Sequence, residues 1–479
     1  MSIEAHGPIL PAVPANASTF WTLDRVADAL AQHATTKLPH GSHRLARVWT
    51  DTRSIGNADL FVALVGEKFD AHNFLADAVK SGAAAIVVSR PEVAKGLGVP
   101  VYHVADTRAA LGALGRFRRR AWNGPVVGVV GTNGKTSTKE LIRAALGSRL
   151  EVHATTLNLN NLIGVPQTLL AIPDHVDVAV IEMGTNQPGE IAALRAIVEP
   201  TLIVVTSIAE EHLEGLGDLR GVLREEMAAC DGVGVAIVPA SQSDVVAEAR
   251  KRARRVVAAG LESGDIRIDR WSLDAEGRGQ LSVDGVEVTV PMRGVHNLRN
   301  AVLALAVAGE LGISTEDAAR GIARMTIPPM RSNVEQIGRI TLINDAYNSN
   351  PGSARAAIEL LAHAGRGSEG GAGPKRQRVA VLGTMLELGP TTPQLHDDVA
   401  RAALDAKVDL IVGVGEFADA LDRVGAPASK VVRAADAEAI WPALSSRLEA
   451  DAIILLKGSR GVRLERLVPL VTRWAQDAS

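Results

Sequence analysis

An α/β fold divided among three domains is predicted for this chain, and three observations predict it. Short apolar runs alternate with stretches of helical spacing over most of its length, as parallel sheets covered by helices require. One of those runs, Val126-Val127-Gly128-Val129-Val130, leads straight into a glycine-bearing turn and then a helix. A length of 479 residues also exceeds what a single hydrophobic core holds. Three α/β units are the simplest account, with the glycine-bearing turn in a central unit on a parallel sheet.

Residues 1–20 carry Pro8, Pro11 and Pro14 and read as a flexible tail. The first domain is expected over 21–122, with a strand at 59–64, a helix at 73–81 and a strand at 84–88. Arg116 to Arg120, followed by Asn123-Gly124-Pro125, reads as a solvated helix end that closes this domain. The second domain, 123–326, opens on the strand at 126–130. Helical spacing over 139–150 follows, then buried strands at 178–181 and 202–205. Residues 267–271 and 280–288 read as a hairpin turning at Asp284-Gly285, before a helix at 300–311. Ile327-Pro328-Pro329-Met330 marks the next boundary. The third domain, 327–479, carries strands at 340–344, 378–382, 409–414 and 452–456. Its glycine-rich stretch 365–373 reads as a flexible surface loop.

The hydrophobic fraction of 47% and charged fraction of 22% are those of a globular protein. A formal net charge of −3 gives no electrostatic footprint for nucleic acid or an anionic membrane, so neither is expected as a partner. No uninterrupted apolar run is long enough for a membrane span. No basic segment followed by an apolar block opens the chain, so the cytoplasm is the expected compartment. Cys230 is the one cysteine; it suits a reducing compartment and reads as a small core residue.

The chemistry concentrates in Gly131-Thr132-Asn133-Gly134-Lys135-Thr136-Ser137-Thr138. A strand entering a tight turn and then a helix aims several backbone N–H groups at one anion, on a positive helix end. Gly131 and Gly134 allow close approach where a Cβ would intrude. Lys135 adds a mobile charge for outer phosphates, and the Thr136 hydroxyl can ligate Mg²⁺. Thr132, Asn133 and Ser137 complete the expected ATP-binding set. The loop is shorter than the usual GxxxxGK, since Val129 stands where that motif has its first glycine.

This loop resembles the ATP loop of the Mur ligases, and of the related folylpolyglutamate synthases. Further segments carry the resemblance. Thr156-Leu157-Asn158-Leu159-Asn160-Asn161-Leu162-Ile163-Gly164-Val165-Pro166 is similar to the family's T-x-x-N-x-N-N-x-x-G-x-P. Ile181-Glu182-Met183-Gly184 puts a carboxylate at a strand end, and Glu211-His212-Leu213-Glu214 resembles its H-L-E segment. The resemblance implies three domains, with a central P-loop ATPase domain on a parallel sheet and a C-terminal Rossmann-like domain. In the central domain it implies that Glu182 and His212 hold Mg²⁺ with Thr136, and that Lys135, Glu182 and His212 are catalytic. The family's carbamylated lysine is missing, and Glu226 stands at its place. A glutamate there supplies an anion directly, so Glu226 joins the expected metal ligands. His296-Asn297-Leu298-Arg299-Asn300 resembles H-N-x-x-N, which implies adenine contacts from Asn297 and Asn300; an N-cap is the competing reading for Asn297. Arg331 and Asp345 are assigned to ATP on the same grounds.

In the third domain, Asn344-Asp345-Ala346-Tyr347-Asn348-Ser349-Asn350-Pro351 resembles the segment of the family branch that adds D-alanyl-D-alanine to a UDP-N-acetylmuramoyl-tripeptide. Val381 to Gly389 resembles G-D-M-x-E-L-G, with Thr384 in place of the acid, and Leu456-Lys457-Gly458-Ser459-Arg460 matches K-G-S-R. The implied substrate contacts are Tyr347, Asn348, Asn350, Lys457, Ser459 and Arg460 for the dipeptide. Asn158 and Asn161 would serve the acceptor. Ser54, within Asp51-Thr52-Arg53-Ser54, would serve the UDP-sugar in the first domain, together with 61–66 and 69–74. The implied cofactors are ATP and Mg²⁺, and a monomer is expected. Two rivals remain at this point: a ligase of the same superfamily adding another amino acid, and a non-catalytic nucleotide-binding relative.

Overall fold

Consecutive apolar side chains along short strands decide the architecture, because successive residues face opposite sides of a sheet and both sides must then be covered. The computed structural model describes residues 20–477, apart from Glu67, Ala275, Pro329, Ser332, 365–375 and Lys407. The tail expected before residue 20 and the glycine-rich loop at 365–373 lie outside the described residues. The chain forms two units. One takes Met1–Gly124, Thr155–Ile181 and Ala193–Glu199; the other takes Pro125–Ala154, Glu182–Ala192 and Pro200–Ser479.

In the first unit, β1 (Val48–Trp49), β2 (Asp59–Val62), β3 (Ala83–Val88) and β4 (Val101–His103) form a parallel sheet in sequence order. Leu60, Val62, Ala85 and Val87 enter one core cluster and Phe61, Ala63, Ile86 and Val88 another. Both faces are therefore covered, which explains why β2 and β3 read as continuous apolar runs. The helix expected at 73–81 is split: the Asp70 carboxylate accepts the His72 N–H and starts a 3₁₀ turn, Ala71–Phe74, ahead of the helix Leu75–Lys80. The basic run at 116–120 does end a helix, Thr107–Trp122, but it is solvated only in part: Arg116 and Arg120 are partly exposed, while Arg118 and Arg119 are buried. Arg119 donates to the carbonyls of Val198 and Glu199, and Arg118 to that of Ile172. Guanidinium groups satisfy several carbonyls at once, and composition alone does not reveal carbonyls that need them.

The central sheet has β5 (Val126–Val130), β6 (Val152–Ala154), β7 (Val178–Glu182), β8 (Leu202–Val205), β9 (Val235–Pro239) and β10 (Arg255–Ala259) in the order β10-β9-β8-β5-β7-β6. All residues of β5, β7 and β8 are buried. The helix after β5 is Lys135–Leu146, four residues earlier at each end than its spacing suggested. The expected hairpin is a three-stranded antiparallel sheet, β11 (Ile268–Leu273), β12 (Arg278–Val283) and β13 (Val286–Arg293). Asp284-Gly285, both at positive φ, turn between β12 and β13, so the run 280–288 is two strands rather than one. The helix Val295–Glu310 follows, buried along most of its length.

The last sheet contains β14 (Asn333–Ile337), β15 (Ile340–Asp345), β16 (Arg378–Gly383), β17 (Leu410–Val414), β18 (Val431–Ala434) and β19 (Ile453–Lys457), ordered β14-β15-β19-β16-β17-β18. Only β14 is antiparallel to its neighbour. Leu342, Val381, Val412 and Leu456 pack one face, while Ile343, Ala380, Ile411 and Leu455 pack the other. The register pairs Asp345 with Lys457 and Leu382 with Lys457. The carboxyl ends of β15, β16 and β19 thus share one edge, the side on which open α/β sheets carry ligands.

Candidate active site

The loop after β5 is held by backbone contacts that only glycine permits. Gly131 has φ +116°, and a Cβ there would lie 2.5 Å from Thr206 Oγ1 and 2.9 Å from the Ser207 carbonyl oxygen. Gly134, at φ +87°, presses against Asn300, whose Oδ1 would be 2.8 Å from a Cβ. The Thr132 N–H donates to Ser207 O at 2.7 Å, and Asn133 N–H to Ser207 Oγ at 3.2 Å. The helix Lys135–Leu146 begins on Gly134 with no side-chain cap, so its first N–H groups are available to an anion.

Charged groups surround this turn. Lys135 Nζ donates to the carbonyls of Gly131 and Thr132 and stands 3.9 Å from Glu211 Oε2. Thr136 Oγ1 lies 3.0 and 3.2 Å from the two oxygens of Glu182, which is buried at the end of β7. Glu226 Oε2 accepts the Gly131 N–H at 2.8 Å, across 95 residues of sequence. Burial pushes the Glu226 carboxyl above its ordinary range; Lys135 opposes this most, followed by the Gly131 N–H. Its neighbour Glu225 does something else: it accepts the N–H groups of Gly189 at 2.7 Å and Ile191 at 2.8 Å. Cys230 is buried, and burial pushes its thiol up to about 12, as an inert core cysteine requires.

Side chains from the third domain meet the loop. Asn350 Nδ2 donates to Asn133 Oδ1 at 2.8 Å, and Asn348 Nδ2 to Glu211 Oε1 at 2.8 Å. Lys457 Nζ bridges Asn348 O at 2.7 Å and Asp345 Oδ2 at 2.8 Å. Ser459 Oγ donates to Ser349 O at 3.3 Å and accepts from Leu386 N–H at 3.0 Å. His212 Nδ1 hydrogen-bonds the Glu387 carboxylate. Arg331 stacks over Tyr347 with 4.3 Å to the ring centroid. Arg460 is more exposed and reaches Glu465 at 3.5 Å. Thr384, in the place of an acid, accepts the Glu416 N–H at 3.0 Å and starts the helix Glu416–Arg423.

The N-cap reading of Asn297 is corrected: Gly294 caps that helix, and Asn297 Nδ2 donates to Arg293 O at 2.8 Å. Asn300 Nδ2 in turn donates to Asn297 Oδ1 at 3.2 Å, so the pair supports Gly134. In the first unit, Ser54 Oγ accepts from Trp49 Nε1 at 3.0 Å. Asn161 Oδ1 accepts from Ile163 N–H at 3.1 Å and Gly164 N–H at 2.9 Å, and the Asn158 carbonyl accepts from Asn160 N–H at 2.8 Å.

The structure thus gathers Asn133, Lys135, Thr136, Glu182, Glu226, Asn348 and Asn350 around one turn or its direct partners. It does not gather Glu182, His212 and Glu226 into one cluster: among the described residues no three His, Cys, Asp or Glu form a metal-binding group. Mg²⁺ asks for less, since it keeps waters and takes phosphate oxygens beside one or two protein oxygens. The Thr136 hydroxyl and Glu182 carboxylate are a hard oxygen pair of that kind. Sequence reasoning assigned no role to Glu211 or Glu387, although both stand inside segments that it singled out. Their partners, Lys135, Asn348 and His212, are all remote in sequence or set by loop geometry.

Three family models match this chain: the Mur ligase middle domain over residues 129–308, the Mur ligase glutamate ligase domain over 330–460, and the Mur ligase family catalytic domain over 45–119. The chain belongs to the Mur ligase family. Among Mur ligases, it is 33% identical over 431 residues to the UDP-N-acetylmuramoyl-tripeptide–D-alanyl-D-alanine ligase of Bacillus subtilis, covering 88% of this chain and 92% of that relative. A crystal structure of MurF from Acinetobacter baumannii superposes with a TM-score of 0.85 at 31% identity, covering 95% of this chain and 99% of the other. MurF from Thermotoga maritima in complex with ADP superposes at 0.79 with 25% identity, covering 90% and 98%. The α/β architecture is the three-domain Mur ligase fold, with a parallel-sheet central domain.

Proposed function

We propose that this Mur ligase joins D-alanyl-D-alanine to UDP-N-acetylmuramoyl-tripeptide, cleaving ATP to ADP and phosphate. It is an ATP-dependent, ADP-forming carbon–nitrogen ligase. The observation that carries the reading is the contact of Asn348 and Asn350, in the segment typical of the dipeptide-adding branch, with Glu211 and Asn133 at the phosphate loop.

The tripeptide's terminal carboxylate attacks the γ-phosphorus of ATP, ADP leaves, and an acyl phosphate forms. The dipeptide's amine then attacks the acyl carbon, loses a proton and expels phosphate, leaving an amide. Little covalent work falls to the protein, so positioning and charge dominate. Lys135 leaves its carbonyl partners for the phosphoryl oxygens and offsets the charge that develops there, beside the N–H groups of the loop. Thr136 and Glu182 would hold Mg²⁺, with His212 as a further ligand on the strength of the family resemblance, and the ion would supply further neutralisation of phosphate charge. Asn297, Asn300, Arg331 and Asp345 serve the nucleotide. Tyr347, Asn348, Asn350, Lys457, Ser459 and Arg460 serve the dipeptide, with Lys457 ordering the 345–350 segment through Asn348 O and Asp345. Ser54, Asn158 and Asn161 serve the UDP-linked substrate. The division at 21–122, 123–326 and 327–479 follows those three ligands. None of the described helices is long and apolar enough to cross a membrane, and a cytoplasmic monomer suits nucleotide-linked substrates.

The test is phosphate release by the purified chain with tripeptides ending in diaminopimelate or lysine. Release requires both the tripeptide and D-alanyl-D-alanine; release that glutamate or lysine supports equally well overturns the dipeptide reading.

Glu226 takes the place of the anion that relatives make from a lysine, while its other contact holds the Gly131 N–H. Glu226→Gln keeps an acceptor for that N–H but loses the charge facing Lys135 and His212. It is expected to raise the Mg²⁺ concentration needed for half-maximal turnover by about tenfold, the scale of losing one supporting ligand. Unchanged Mg²⁺ dependence and full activity would show that the carboxylate is only a prop for the loop.

A further inference from the structure

His212 and Glu387 lie 175 residues apart in the chain, and both occupy left-handed backbone, at φ +54° and +63°. Neither is glycine; histidine is among the residues that visit this region more often, whereas a glutamate there is uncommon. Here the two positions face each other. The Glu387 carboxylate meets His212 Nδ1, and the Glu387 carbonyl accepts the Glu214 N–H at 3.1 Å. The turn continues to Gly389, which packs so closely that a Cβ would lie 3.3 Å from Glu214 Cα. A carboxylate only accepts, so His212 Nδ1 carries the hydrogen, and Nε2 is the nitrogen left for any other partner. That nitrogen stands 3.9 Å from Glu211 Oε2, and the same oxygen stands 3.9 Å from Lys135 Nζ. The ring is therefore presented with its free nitrogen on the side of the phosphate loop.

We propose that Glu387 is the positioning residue of His212: it sets the imidazole tautomer and aim, and does so only when the turn at 386–389 lies against residues 212–214. The third domain thereby reports its approach to the metal side of the ATP site. The inference rests on the reading of His212 as a Mg²⁺ ligand. Glu387 is half exposed, so the pair adds little to stability; its effect is on orientation. The partner of a ligating histidine commonly changes metal affinity by about 10- to 100-fold. The side chain is separable from the turn itself, because the bond to Glu214 uses the Glu387 backbone.

The experiment uses the full chain and its Glu387→Ala, Glu387→Gln and His212→Ala variants. ADP binding is measured by calorimetry with Mg²⁺ and with EDTA, and the His212 ring nitrogens are followed by NMR. Glu387→Ala is expected to weaken Mg²⁺-dependent ADP binding about tenfold, to leave binding in EDTA unchanged and to alter the His212 tautomer pattern. Glu387→Gln can still accept the Nδ1 hydrogen and restores the pattern. The double variant His212→Ala/Glu387→Ala binds no more weakly than His212→Ala alone. An unaltered tautomer pattern in Glu387→Ala, or additive losses in the double variant, overturns the proposal. If His212→Ala leaves the Mg²⁺ dependence intact, the metal role of His212 fails instead, and the ring signals alone decide whether Glu387 positions it.

Discussion

Lys135→Ala is expected to lower kcat/KM for ATP-dependent ligation by about a hundred- to a thousandfold, while the melting temperature moves by only a few degrees. The two effects separate because the side chain has two different sets of partners. At rest its ammonium is satisfied by the Gly131 and Thr132 carbonyls. Losing those bonds at a partly solvated turn costs about 1 kcal/mol. During phosphoryl transfer the same charge meets developing negative charge in a water-poor site, where one preorganised contact contributes about 3–4 kcal/mol, or roughly two to three powers of ten. Arginine is not an adequate replacement, since a planar fork does not fit where a point charge folds back onto two carbonyls. Turnover of the alanine variant at near the parent rate would sink the mechanism; unfolding of the variant would show that the lysine is structural.

Gly131→Ala is expected to damage fold and function together. Its φ of +116° is closed to an alanine, and the added methyl would stand 2.5 Å from Thr206 Oγ1 and 2.9 Å from the Ser207 carbonyl. Thr206 cannot turn aside freely, because its hydroxyl donates to Val130 O at 3.1 Å. The loop must move, and with it the N–H that Glu226 accepts. A backbone forced into such a region costs about 1–3 kcal/mol, and a buried carboxylate left without its donor adds about 1–3 kcal/mol. Urea unfolding should report a loss of about 2–6 kcal/mol, the sum of those terms, with ATP binding lost in the fraction that stays folded. A variant of parent stability that still binds ATP would mean that the loop tolerates a side chain at this turn.

Much of this site is local and therefore legible along the chain. The strand at 202–205 and the turn 131–134 are encoded by neighbouring residues: an apolar run that needs two covered faces, and glycines where backbone approaches backbone. The helix at Lys135 begins earlier than its apolar spacing suggests, because its first turn is polar and offers no apolar spacing to read, although Ser137 and Thr138 are buried there. β1, β4 and β6, of two or three residues each, are too short to read from the sequence, and β9, β10, β14 and β18 escape it although they have four or five. The solvated reading of Arg116 to Arg120 holds for the two outer arginines and fails for Arg118 and Arg119, which are buried against carbonyls some 54 and 79 residues away.

The sequence by itself determined the chemistry of the phosphate loop, the family and the segments that bear ligand-facing residues, because each depends on residue type at fixed local spacing. Only the tertiary structure decided how those segments use one another. Glu225 and Glu226 are adjacent and chemically alike, yet one caps Gly189 and Ile191 while the other accepts the Gly131 N–H. Glu387 became a partner of His212 only when two turns met. Charge and hydrogen bonding act through space over a few ångströms, so the role of a carboxylate depends on which distant donors the fold brings within that range.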